Sequence, residues 1–139
     1  MKNFRIKIER WSYKRGLLQR GELKSQTLKL QEEAGETARA VLRNDRAAIE
    51  DGIGDCFIVL TNLAKIAERH FRDQCSTCRG IGGEFATGPS GESDVWIDCK
   101  DCGQMDIETC IEKAYNQIKN RTGKMTNGTF IKDNNNDAI

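Results

Sequence analysis

Proline, histidine and aromatic side chains are scarce in this sequence. Its 139 residues hold one Pro, one His and only 6% Phe, Trp and Tyr. Few prolines beside 31% charged residues fit a helical protein with solvated outer faces. Charge of one sign is also lacking: 22 Lys and Arg stand against 21 Asp and Glu, for a net charge of +1. That balance excludes a bulk polybasic nucleic-acid binder and an acidic tail protein. No run of 18 apolar residues exists, so no membrane span is expected. The start, Met1 to Arg5, lacks the apolar stretch of a signal peptide, and a cytoplasmic protein is expected. The length corresponds to one domain, which can bury about two-thirds of its unfolded surface without staples.

Cysteine is plentiful. Four of six form CxxC pairs, Cys75/Cys78 and Cys99/Cys102, while Cys56 and Cys110 stand alone and read as buried small hydrophobes. Without a secretion signal, paired CxxC motifs read as metal ligands rather than disulfides. The spacing CxxC, 20 residues, CxxC fits a closed tetrahedral four-cysteine zinc site, which is structural because no coordination position is left open. Cys75 to Gly82 resembles a DnaJ-type cysteine-rich repeat, and Cys99 to Gly103 a zinc-ribbon knuckle. His70, five residues before Cys75, reads as a helix C-terminal cap rather than a further ligand.

The hydrophobic pattern predicts a mainly α fold, a four-helix-type bundle with a small β insertion between the third and fourth helices. Residues 4–16 are weakly amphipathic, as a helix or a short strand leading into one. A second helix runs from about Gln26 to Arg43, with Ser25 as its cap. A third runs to Phe71, and its stretch from Cys56 to Ala67 is apolar almost all round. Such a helix needs cover on several sides, so a homo-oligomer, dimer or tetramer, is expected. A fourth spans about Asp106 to Asn120. Asn127-Gly128 signals a tight turn, with Thr129 to Ile131 extended. Residues 1–72 and 105–132 thus read as the bundle, 73–104 as the insertion, and 133–139 as a disordered tail.

Glu32, Glu33 and Glu36 lie on the second helix; Glu50, Asp51 and Asp55 open the third. At about 100° per residue, Glu33 and Glu36 share one face, as do Asp51 and Asp55. Two antiparallel helices could set these carboxylates around one space, where they repel each other unless a cation sits among them. Oxygen ligands suit Mg²⁺ or Mn²⁺ rather than Zn²⁺. The plainer reading is solvated acidic faces near helix N-termini. Asp55, however, directly precedes the most apolar stretch of the chain, where a carboxylate needs a partner.

The run from Lys29 to Glu36, followed after 14 residues by Asp51-Gly52-Ile53-Gly54-Asp55, resembles the EExxE…ExxD signature of MazG-like nucleoside triphosphate pyrophosphohydrolases. The likeness extends to Trp11…Arg15-Gly16 and to Ala114 through Met125, is similar to phage-encoded members, and leaves out 73–104. It implies an all-α enzyme using Mg²⁺ to split a nucleoside triphosphate into monophosphate and pyrophosphate. Its metal ligands would be Glu33, Glu36, Asp51 and Asp55, with Glu32 a ligand or the residue orienting water. The chain departs from the pattern at Gly52, where the family has Glu; Asp51 is the nearest substitute.

Substrate contacts are expected from cations. Lys113, Lys119, Arg121, Lys124 and Lys132 lie in a stretch without acidic residues. Lys119 and Arg121 are the candidates for phosphate, with Asn116 as a polar reader; a basic helix C-terminus favoured by the macrodipole is the alternative. Lys29 pairs with a carboxylate or with phosphate. Trp11 stacks on a base or packs in the core. The rival class is a non-enzymatic zinc-ribbon protein binding nucleic acid or a protein partner through 73–104. Nucleic acid is the weaker choice there, because Asp94, Asp98 and Asp101 crowd a module with few cations.

Overall fold

The computed structural model describes residues 2–86 and 95–133. It is mainly helical, with small antiparallel strands beside the cysteines. The chain forms two compact units, Met1–Ile107 and Glu108–Ile139.

The first unit opens with α1 (Lys2–Lys14), so the ambiguous N-terminal segment is a helix. Arg5 and Glu9 bridge one turn at 2.7 Å, an i,i+4 pair that only a helix brings together. Gly16, in the left-handed region at φ 74°, turns the chain into the single turn α2 (Leu17–Arg20). The guanidinium of Arg69 then donates to the carbonyls of Leu18 (2.6 Å) and Gly21 (2.5 Å). One cation thereby satisfies the open end of α2 and fastens it to the long helix below.

α3 (Leu23–Leu42) and α4 (Arg46–Asp73) make the antiparallel hairpin at the centre of the unit. Ser25 does not cap α3: the helix starts at Leu23, with Glu22 at the cap position and no side-chain cap bond. The turn between the helices is closed twice. Asn44 sits at φ 54°, its N–H donates to Val41 O (3.0 Å), and the N–H of Asp45 donates to Ala40 O (3.0 Å), a Schellman closure. The Asp45 carboxylate then accepts from Ala48 N at 3.1 Å, capping α4 as its position before the helix suggests. Ala40, Val59, Ala64 and Ile66 are the buried apolar side chains of the hairpin.

β1 (Gly83–Ala86) and β2 (Val95–Asp98) pair antiparallel, with Phe85 opposite Trp96 and their rings 5.0 Å apart. Beyond the cysteines the chain is latched back: Met105 N donates to Glu68 Oε2 (2.9 Å), and Asp106 lies 3.8 Å from Arg5.

The second unit holds the rest of α5 (Ile107–Ile118) and a hairpin of β3 (Gly123–Thr126) with β4 (Thr129–Lys132). Asn127 (φ 49°) and Gly128 (φ 77°) form the tight turn their dipeptide announces. The partner strand β3 carries no strand signal strong enough to read in isolation. Of the expected tail only Asp133 belongs to the described residues.

Candidate active site and cysteine cluster

The hairpin brings α3 and α4 together where the acidic residues stand. Glu33 is buried, at 6% exposure, although it is a carboxylate. Lys29, one turn earlier, puts its Nζ 2.7 Å from Glu33 Oε1 and 3.1 Å from Glu32 Oε2. The hydrogen bond to Glu33, then that to Glu32, raises the Lys29 pKa and keeps the ammonium charged. Across the hairpin, burial pushes the Asp55 carboxyl up, and the charges of Asp51 and Glu33 push it further; Lys29 opposes them. Lys29, Glu32, Glu33, Asp51 and Asp55 thus form one electrostatic group spanning both helices. Glu36 is more exposed and pairs with Arg39 at 3.3 Å.

Gly52 explains the departure from ExxD. It is buried against α3, and a Cβ there would strike the Thr37 hydroxyl and press on that residue's backbone. The helices pass so closely at this point that a side chain would force Thr37 to shift. Asp51, one position earlier, is exposed and still charges the environment of Asp55. Thr37 itself is held in place by donating to Glu33 O at 2.8 Å.

Every candidate ligand offers oxygen, which suits a hard divalent cation, but among the described residues Glu33, Glu36, Asp51 and Asp55 do not converge as three or more ligand atoms around one point, and Lys29 bridges only Glu32 and Glu33 within α3. Asn116, Lys119 and Arg121 belong to the second unit, where all three are exposed. Trp11 is half exposed, with the Arg15 guanidinium 4.0 Å above its ring.

The cysteines meet a stricter test. Zn–S bonds of about 2.3 Å in a tetrahedron imply S···S edges of about 3.8 Å. Cys75 and Cys99 Sγ lie 3.7 Å apart, Cys78 and Cys102 Sγ 3.4 Å, and all four sulfurs fall within 4.8 Å of one another. Among the described residues this is the one such grouping of three or more metal-binding side chains. Gly82 N–H donates to Cys78 Sγ at 3.2 Å. Desolvation raises the Cys78 thiol, but the Gly82 N–H and the neighbouring thiols outweigh it and bring the pKa to about 6. Backbone N–H groups of Cys102 and Asp101 lower Cys99 as well, whereas burial pushes Cys102 up to about 12. A closed four-sulfur cage with N–H donors on its thiolates is the chemistry of a structural zinc site. Cys56 lies away from it, 4.0 Å from the Thr37 hydroxyl, and Cys110 is half-buried on α5. His70 stands in the last turn of α4 and contacts Gln74.

Residues 22–76 match the MazG nucleotide pyrophosphohydrolase domain. That segment contains α3, its turn and α4 with every candidate carboxylate, and it stops at the first cysteine knuckle. Over 58 residues the chain is 43% identical to an uncharacterized 18.2 kDa protein in the rep-hol intergenic region of Haemophilus phage HP1. The alignment covers 42% of this chain and 36% of that relative, so the chain spans about a third of the relative it matches. No solved structure matches the chain. No helix among the described residues is long and apolar enough to cross a membrane.

Sequence reasoning missed two features. Glu68 serves as the latch for the returning chain, which only the fold brings to it. Ser12 and Asn62 are buried polar residues without a partner for Oγ and Oδ1. Asn62 had a visible signal, an amide inside the apolar run from Cys56 to Ala67.

Proposed function

We propose that the protein hydrolyses nucleoside triphosphates to monophosphate and pyrophosphate with Mg²⁺ or Mn²⁺. The observation that carries this reading is the group made by Lys29, Glu32, Glu33, Asp51 and Asp55 across one helix hairpin, inside the segment that matches the MazG domain. Glu33, Glu36, Asp51 and Asp55 would hold the cation. When bound, it offsets the negative charge of the triphosphate and polarises a phosphoryl group. Glu32, more than half exposed and paired with the Lys29 ammonium, is suited to orient and deprotonate water. Lys29 has a second role open to it: a phosphate can compete with the carboxylates for its Nζ. Asn116, Lys119 and Arg121 are assigned to the substrate, and Trp11 to the base.

The four-cysteine cage is assigned one structural Zn²⁺. The protein acts in the cytoplasm as a homo-oligomer, a dimer or tetramer. A groove of about 520 Å³ lined by Phe4, Ile8, Gly54, Phe57 and Ile58 supports the oligomer, because Phe4 and nearby Ile53 stay well exposed in the single chain. A second reading, protein binding through 73–104, is favoured by exposed Ile81, Phe85 and Ile97 on that module. Pyrophosphate release from a panel of ribo- and deoxyribonucleoside triphosphates, with Mg²⁺ and with chelator, separates the two. Release that requires the metal is expected; no release from any triphosphate leaves the second reading.

A further inference from the structure

Away from the carboxylates, α4 carries a second charged stripe. Lys65, Arg69 and Arg72 recur at i, i+4 and i+7, so they leave one face of the helix. Asp55 lies ten residues before Lys65, about 15 Å along the axis. The three cations line one cavity of about 230 Å³ together with Glu68. Tyr13 at the end of α1, with Leu18 and Gln19 of α2, forms its other wall. Tyr13 and Gln19 are exposed, so the cavity opens to solvent beside them.

The charges in this cavity do not cancel. Its carboxylate, Glu68, is already engaged. Lys65 Nζ lies 2.6 Å from Glu68 Oε2, and Met105 N–H donates to the same oxygen at 2.9 Å. Arg69 is partly buried, and its guanidinium donates to the carbonyls of Leu18 and Gly21. Those neutral oxygens satisfy its N–H groups but do not neutralise its charge. Arg72 has Asp73 beside it at 3.7 Å, with both side chains solvated, a pairing of little worth. A positive charge partly denied water is stabilised by an anion. Guanidinium and ammonium groups with an amide and a phenol at the rim are a donor set for phosphate oxygens. The volume falls below the roughly 300–1,000 Å³ of pockets that enclose a whole drug-sized ligand, so it admits a phosphate group and not an entire nucleotide.

We propose that this cavity is a phosphate-binding site separate from the carboxylate group, in which Lys65, Arg69 and Arg72 hold the oxyanion and Tyr13 and Gln19 stand at its mouth. The occupant is a free phosphate ion or the terminal phosphate of a small molecule whose remainder stays in solvent. Because α1, α2 and α4 all wall the cavity, a bound anion ties the α1–α2 turn to α4 and stabilises the folded chain.

The test uses the full chain in chelator at fixed ionic strength, with inorganic phosphate and a nucleoside monophosphate as probes. Melting temperature and titration calorimetry are read for the wild type, Arg72→Gln and Gln19→Glu. The Arg72 guanidinium bonds to no backbone group and Gln19 is exposed, so both variants should fold. Inorganic phosphate should raise the wild-type melting temperature. Either substitution should weaken its binding on the order of tenfold, the loss of one charge-assisted contact. Tighter binding of the monophosphate, lost in the same variants, would identify a phosphate carried on a larger molecule; equal or weaker binding would identify the free ion. Phosphate binding that survives both substitutions, or that disappears instead in Lys119→Gln, would overturn the site. A wild-type melting temperature that neither probe moves would overturn it as well.

Discussion

Asp55 resists ionisation because it is partly buried and because Asp51 and Glu33 add like charge. Its folded pKa stands above the unfolded value, so between the two the folded chain binds more protons than the unfolded one. Ligand-free stability must then fall as pH climbs from the ordinary carboxylate range toward the raised value. Asp55→Asn should flatten that part of the pH–stability profile, raise the neutral-pH melting temperature in chelator and abolish hydrolysis. Thermal denaturation from pH 3 to 8 (a range about the ordinary carboxylate pKa) checks it, and an unchanged profile would remove Asp55 as the titrating group. Glu36→Gln tests the other side of the site. Glu36 is exposed and paired with Arg39, so the fold should shift by less than about 0.5 kcal/mol while turnover disappears. Wild-type turnover would take Glu36 out of the site.

The α3–α4 hairpin sets the distance between the two acidic faces, and glycine decides it locally. Gly52 lies against Thr37 with no room for a Cβ, whereas Gly35 has nothing within 4 Å of where a Cβ would sit. Gly52→Ala should therefore destabilise by about 1–3 kcal/mol by prising the helices apart. Gly35→Ala should stabilise by about 0.5–1 kcal/mol by restricting the unfolded chain. Urea denaturation of the two variants reads both signs. The cysteine module is a separate element with its own cluster of four sulfurs. Cys99→Ser should lower zinc content and melting temperature while some Mg²⁺-dependent hydrolysis persists, since the carboxylates lie on other residues. Elemental analysis and activity on one sample check this; a mutant retaining full zinc would show the ligand set to be wrong.

For the whole molecule, the exposed apolar groove over α1 and α4 predicts self-association. Sedimentation at micromolar concentration should show a species heavier than the 15.7 kDa chain. A monomer would leave Phe4, Ile53 and Phe57 without cover and refute the oligomer. Alanine in place of Phe4, an exposed residue outside the carboxylate group, should weaken the assembly without unfolding the subunit.

Local chemistry made much of this legible in the sequence. Asp45 caps its helix with its own side chain, Asn127-Gly128 turns where both residues accept positive φ, and CxxC pairs bring sulfurs into range because each knuckle is a few residues long. The lysine and glutamates at 29, 32 and 33 lie one turn apart on any helix, so their pairing needs no tertiary contact. What the fold alone decided depends on two segments meeting. α3 begins before Ser25 because Leu23 and Lys24 are helical without a side-chain cap to announce them. β3 has no signal of its own because a four-residue strand is specified by its partner more than by its own composition. The reason for Gly52 lay in Thr37, 15 positions away, and the missing partners of Asn62 and Ser12 show only once packing has buried both. Sequence determines which groups are near along the chain; only packing determines which are denied water, and denial of water is what shifts the Asp55 pKa and leaves the Asn62 acceptor unpaired.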